Sequence, residues 1–168
     1  MDDLDDMDHR IVTALRACGT DPRVAACARA LSWAGEHGAL WLAGGLAGAA
    51  ADRGRRTAWL RGTALTAGAH LTSMGVKRVV RRPRPAHVRP LVRTAGRHSF
   101  PSSHAASAVA AAVVFGALGV RAAWPLAAAV CASRLVAGVH YPTDVVAGAA
   151  LGALTARLGA DWMRGGTR

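Results

Sequence analysis

Between residues 37 and 160 the chain passes through five apolar runs, 37–51, 57–76, 104–120, 122–139 and 142–160. Each lies near the lower end of the roughly 17–25 residues that a helix needs to span a bilayer. Hydrophobic residues make up 52% of the chain but aromatics only 5%, because Ala, Gly and Val carry most of the apolar character. Mean hydropathy is therefore a modest +0.21. Small side chains let helices approach backbone to backbone, which is how helices pack inside lipid. None of the five runs shows a clear polar face. The expectation is an all-α integral membrane bundle of about five transmembrane helices, placed from these apolar runs. A soluble bundle with Ala-rich cores is the alternative.

Ahead of the first run, residues 1–36 read as an amphipathic helical segment on the membrane surface, with the membrane domain over 37–168. In the stretch 2–18 acidic residues crowd the start, as the helix dipole favours. Leu4, Met7, Ile11, Val12 and Leu15 fall at helical spacing on one face. Gly19 ends this helix, and Asp21-Pro22 opens a second over 22–34 that carries Arg23 and Arg29. The opening MDDLDDMDHR lacks the basic and apolar regions of a secretion signal. Cys18, Cys27 and Cys131 form no Cys-x-x-Cys pair, so neither a zinc site nor a redox couple is expected.

The formal net charge is +11, and Lys77 is the only lysine among the basic residues. Such a charge wants an anionic partner: nucleic acid, anionic lipid or phosphate. Few aromatics interleave with the arginines and no nucleic-acid motif occurs, so nucleic acid is not the expected partner. The loop 77–103 holds prolines at 83, 85 and 90, which forbid a regular helix. Alternating spans put this loop and the stretch SRLVAGVHYPTD (133–144) on the same side of the bundle. Lys77, Arg84, Ser102, Ser103, His104, Arg134, His140 and Asp144 can then meet. Three converging cations need an anion among them, and arginine's fork of donors fits phosphate oxygens. Ser102 and Ser103 precede the third run, where a helix N-terminus favours anions. Asp144, four residues beyond His140, can fix one imidazole nitrogen and leave the other free to attack. His104 can serve as general acid to the leaving alkoxide. A single carboxylate argues against a magnesium or two-metal site, so neither metal nor cofactor is expected. His37 and His70 read as packing or interface residues, and Arg78, Arg81 and Arg82 as a basic rim.

The same residues fall into three motifs: Lys77-RVVRRP-Arg84-Pro85, Pro101-Ser102-Ser103-His104, and Ser133-Arg134-LVAGV-His140-YPT-Asp144. In order and internal spacing they resemble the type 2 phosphatidic acid phosphatase family of membrane lipid phosphatases. The resemblance covers residues 77–144, with the five apolar runs suited to that family's helical bundle. It implies a metal-independent hydrolase that removes the terminal phosphate of a lipid phosphate or diphosphate through a phosphohistidine. His140 is then the nucleophile, Asp144 its orienting carboxylate and His104 the acid. Lys77, Arg84 and Arg134 hold the phosphate oxygens, with Ser102 and Ser103 assisting. Ser103 departs from the family's usual glycine, which would strain any need for positive φ.

The expected partners are membrane lipids and a lipid phosphate substrate, phosphatidic-acid-like or polyprenyl-linked. An Ala/Arg/Gly bias suggests a GC-rich actinobacterial genome, and there the resemblance implies, by analogy with small members of that family, the polyprenyl type. The expected location is the plasma membrane, with the site at one surface. Basic residues weigh only slightly toward the side of the 77–103 loop, so the side stays open. Two rival classes remain at this point: a non-catalytic membrane protein that binds anionic lipid, and a vanadate-dependent haloperoxidase-like enzyme.

Overall fold

The computed structural model describes residues 2–94 and 96–165; residues 166–168 of the expected membrane domain lie outside them. Among the described residues are eight α-helices: α1 (Asp2–Cys18), α2 (Pro22–Ala34), α3 (Ala39–Ala51), α4 (Arg56–Val80), α5 (Ser103–Ala117), α6 (Ala123–Val136), α7 (Pro142–Leu158) and α8 (Ala160–Arg164). The five apolar runs are α3 to α7. No strand is present among the described residues beyond an isolated bridge between Pro83 and His98.

Small residues set the packing. α5 lies at the centre, against α4, α6 and α7. Its buried surface is mostly alanine, including Ala105, Ala106, Ala108, Ala110, Ala111 and Ala112. On α7, a Cβ at Gly148 or Gly152 would strike the carbonyl oxygens of Ser102 and Ala106. A side chain at Gly62 of α4 would collide with Val114, and one at Gly48 of α3 with the Trp59 indole. Helices therefore touch nearly backbone to backbone, as the Ala/Gly content predicts. Trp41, Trp59 and Phe115 join this core, while a set of aliphatic side chains points the other way: Leu46, Leu60, Leu71, Val146, Leu154 and Leu158 are exposed on the circumference.

Helix lengths run short of the expected spans. α3, α5, α6 and α7 hold 13, 15, 14 and 17 residues, or roughly 20–26 Å at the standard rise, against about 30 Å of bilayer hydrocarbon. α4 is long enough at 25 residues but carries Arg56, Arg61, Lys77 and Arg78. Among the described residues no helix is both long and apolar enough to cross a membrane.

α1 and α2 have the expected boundaries, and Asp21 caps α2 by accepting from the backbone N–H groups of Arg23 and Val24. The buried face of α1 differs from expectation. Leu4 and Met7 are 59% and 42% exposed, whereas Asp8 is 0% exposed beside the equally buried Val12. Polar partners on α7 and the 77–103 loop satisfy the Asp8 carboxylate, and that overrides hydropathy in choosing the face that docks.

Candidate active site

Every functional element of the cluster lies at one end of the bundle, because each sits at a helix terminus or in a connection there. Lys77 is in the last turn of α4, Ser103 and His104 open α5, Arg134 lies in the last turn of α6, and Asp144 is in the first turn of α7. His140 occupies the α6–α7 connection, where Gly138 takes φ +68°. Arg84 comes from the 77–103 loop. That loop is anchored by Ser99 N–H donating to Arg82 O (2.8 Å) and Leu91 N–H donating to Ala137 O (2.9 Å).

The three cations line one pocket with His104, His140 and Ser103. Lys77 Nζ donates to the carbonyls of Ser99 (2.9 Å) and Pro101, which hold the ammonium in place. Arg84 is clamped through Nε to Gly96 O (2.9 Å) and through Nη1 to Val139 O (2.7 Å). Arg134 is only 2% exposed. Its Nε and Nη1 are buried with no hydrogen-bond partner. Among the described residues it forms no ion pair, and its side chain lines the pocket.

His140 Nε2 lies 3.3 Å from Arg84 Nη1, and its Nδ1 lies 3.5 Å from Asp144 Oδ2. Burial is the main cause holding the His140 pKa down to about 3; Arg84, Arg134 and Lys77 push the same way, and Asp144 opposes them. The ring is thus neutral near pH 7 and keeps a free lone pair. Burial likewise lowers Arg84 from the usual arginine range, with Asp144 and Glu36 opposing. Asp144 is fully buried and lies behind His140, away from the pocket lining. Its Oδ2 accepts from Tyr141 N–H (2.8 Å), its Oδ1 from Arg82 (3.1 Å), and its carbonyl from Ser102 N–H (2.9 Å). The last bond ties the start of α5 to the start of α7.

Ser102 is the N-cap of α5. It is absent from the pocket lining, and its hydroxyl caps α5 by accepting from Ala105 N–H (3.4 Å). Ser103 does line the pocket, with its hydroxyl 3.6 Å from Met74 Sδ. Its backbone is helical, so the serine meets no positive-φ requirement there.

His104 is oriented from α2. Its Nε2 sits 3.1 Å from Ser32 O. With the proton on that nitrogen, Nδ1 is left for proton exchange in the pocket. A Cβ added at Gly35 would sit 2.9 Å from His104 Cδ2. Gly35 has ordinary helical φ, so what it supplies is space. Gly35→Ala is expected to displace the imidazole and lower kcat about 10- to 100-fold, in line with the cost of mispositioning a reacting group. Steady-state kinetics alongside a thermal melt checks this: the melt should change far less than the rate.

Sequence reasoning missed four contributors. Glu36, His37 and His70 line the pocket. His37 adopts φ +52° and Gly38 φ +74°, a turn that brings this polar pair to the mouth just before α3. The signal available was a Glu-His-Gly triplet directly ahead of an apolar helix. Arg82 is no rim residue: its guanidinium bonds Asp144, Asp8 and Thr143. Among the described residues no three His, Cys, Asp or Glu side chains are grouped to hold a metal ion.

Comparison with known proteins places this geometry in context. The family model described as PAP2 superfamily matches residues 57–168. A decaprenylphosphoryl-5-phosphoribose phosphatase of Mycolicibacterium smegmatis is 46% identical over 144 residues, covering 84% of this chain and 80% of the relative. Its Mycobacterium tuberculosis counterpart is 42% identical over 147 residues, covering 85% and 83%. In fold, the chain matches a crystal structure of a transmembrane PAP2 type phosphatidylglycerolphosphate phosphatase from Bacillus subtilis. The TM-score is 0.86 at 24% identity, over 100% of this chain and 90% of that one.

Proposed function

Because the chain belongs to the PAP2 superfamily and is a lipid phosphate phosphatase, we propose that it dephosphorylates a polyprenyl-linked sugar phosphate by way of a phosphohistidine at His140. The observation that carries the reading is Arg134, a buried guanidinium with no carboxylate partner among the described residues, lining a pocket with Lys77, Arg84, His104 and His140. A buried charge of this kind is costly unless an anion meets it, and a tetrahedral phosphate satisfies all three cations together.

The steps follow from the atoms present. With the Nδ1 proton directed at Asp144 Oδ2, His140 Nε2 carries the lone pair. It attacks phosphorus, forming the P–N bond as the P–O bond to the leaving alkoxide breaks. His104, charged by a proton taken up at Nδ1 as the phosphate anion enters the pocket, gives that proton to the alkoxide. Water then attacks phosphorus, His104 takes its proton, the P–N bond breaks and inorganic phosphate leaves. Lys77, Arg84 and Arg134 neutralise the equatorial oxygens throughout, which is the largest electrostatic contribution in phosphoryl transfer. That role is one a divalent cation plays elsewhere, so turnover needs none.

The polyprenyl sugar phosphate is supported by the two mycobacterial relatives, whose names state it for those proteins. A bilayer location is supported by the packing. Alanine and glycine make the closest helix contacts while Leu46, Leu60, Leu71, Val146, Leu154 and Leu158 are exposed on the circumference, more apolar surface than water selects. Short helices fit a bilayer by local thinning at modest cost.

Phosphate release by purified protein in detergent with EDTA, over a panel of lipid phosphates, tests the reading. Release without divalent metal, ranked with a polyprenyl phosphoribose above phosphatidic acid and polyprenyl diphosphate, is the expected result. A requirement for metal overturns the mechanism; a different ranking overturns the substrate.

A further inference from the structure

The orienting carboxylate behind His140 does not stand alone. Asp144 Oδ1 accepts from Arg82 Nη1 at 3.1 Å, and the other terminal nitrogen of the same guanidinium, Nη2, donates to Asp8 Oδ2 at 2.9 Å. Thr143 stitches the two ends together. Its backbone N–H donates to Asp8 Oδ1 at 3.1 Å, its hydroxyl donates to Asp8 Oδ2, and it accepts from Arg82 Nη1 at 2.6 Å. Arg82 also lies over the Tyr141 ring, 4.2 Å from its centroid. Asp8 and Asp144 are both fully buried, and Asp5, 60% exposed, adds a third carboxylate at 3.2 Å from Nη2.

Asp8 belongs to α1, some 70 residues from Arg82 in sequence and outside the family match at 57–168. From these contacts we infer that Asp8 is a positioning residue for the reaction, acting on His140 through Arg82, Thr143 and Asp144. The inference rests on the nucleophile role given to His140 above.

Three physical arguments carry it. A lone guanidinium facing Asp144 would draw the carboxylate toward itself and away from the imidazole. A second buried carboxylate on its far side shares that charge, so Asp144 keeps its negative charge for His140 Nδ1. The Thr143 N–H is one of the first-turn donors of α7 that have no partner within the helix. Asp8 satisfies it from another helix, as Asp144 satisfies that of Tyr141, so the first turn carrying Asp144 is held from both sides. Finally, Asp8 occupies the buried face of α1 where an apolar residue would dock at less cost. A carboxylate kept there is matched to the cation it meets.

The test compares Asp8→Asn, Arg82→Gln, the double variant, Asp5→Asn and Thr143→Val with wild type and His140→Ala. Each is assayed for kcat, KM, vanadate affinity and melting temperature. Asp8→Asn is expected to lower kcat 10- to 100-fold while KM and vanadate affinity stay within about threefold, because the three phosphate-binding cations are untouched. Asp5→Asn should stay within twofold. Arg82→Gln leaves two buried carboxylates facing each other and should lose more than Asp8→Asn. The double variant restores charge balance and should lose no more than Arg82→Gln alone. The 15N shifts of the His140 ring should move in Asp8→Asn, reporting a changed approach of Nδ1 to Asp144, and stay unmoved in Asp5→Asn. If Asp8→Asn does not fold, Thr143→Val carries the test with an expected three- to tenfold loss in kcat. Wild-type kcat in the folded variants overturns the inference. So does a loss in which kcat, vanadate affinity and melting temperature fall together. If His140→Ala keeps activity, the nucleophile reading has failed instead.

Discussion

His140→Ala is expected to release no measurable phosphate from any lipid in the presence of EDTA, a loss of at least about four orders of magnitude. At about 1.4 kcal/mol per tenfold, that is roughly 5–6 kcal/mol of transition-state stabilisation. The size follows from geometry. Nε2 is the one uncharged nucleophilic nitrogen beside Arg84 with its partner nitrogen turned to a buried carboxylate, and removing it leaves no atom to accept the phosphoryl group. Vanadate, which takes up the trigonal-bipyramidal shape of the transition state, should still bind the variant, because Lys77, Arg84 and Arg134 remain. The pH dependence follows from His140 being held to about 3 by burial. A base whose folded pKa is depressed stays competent until the pH falls through that lowered value. Loss of the nucleophile by protonation should therefore not appear between pH 5 and 8 in the kcat/KM profile of the free enzyme. Turnover in His140→Ala equal to wild type would overthrow the phosphohistidine mechanism and favour a water nucleophile.

How much of this was legible in the sequence differs by level. The helices α1 to α7 could be read because periodic apolar runs bounded by Gly, Pro and charge are local signals. The meeting of Lys77, Arg84, His104, Arg134 and His140 could be read because helix alternation fixes which ends share a side. Asp8 could not be read, since Leu4 and Met7 made a better apolar face on paper and only partners 74 and 135 positions away give the carboxylate its place. Ser102 looked like a ligand by its neighbours in the motif; its hydroxyl accepts the helix-cap N–H of Ala105 and lies outside the pocket lining, a placement that only side-chain direction decides. The role of Gly35 was invisible for the same reason: its neighbour is the ring of His104, brought there by tertiary packing.

Arg134→Met should pull activity and stability in opposite directions. The side chain is buried, two of its donor nitrogens have no partner, and no carboxylate among the described residues pairs with it. Holding such a charge out of water costs several kcal/mol. A methionine fills a similar volume and removes that cost. In the absence of ligand the variant should melt higher, by about 2–4 °C for each kcal/mol recovered in a chain of this size. Catalysis should move the other way. On the proposed reading the two unpartnered donors of Arg134 meet phosphate oxygens, and their loss should lower kcat/KM about a thousandfold. Adding vanadate sharpens the contrast, since a ligand stabilises only the form that binds it. Wild type should gain thermal stability with vanadate, while Arg134→Met should gain little. Melting curves of both proteins in detergent, with and without vanadate, measure both effects in one experiment. A variant that melts lower than wild type would mean that Arg134 has a structural partner, and the pocket would lose the unsatisfied cation on which its reading as a phosphate site rests.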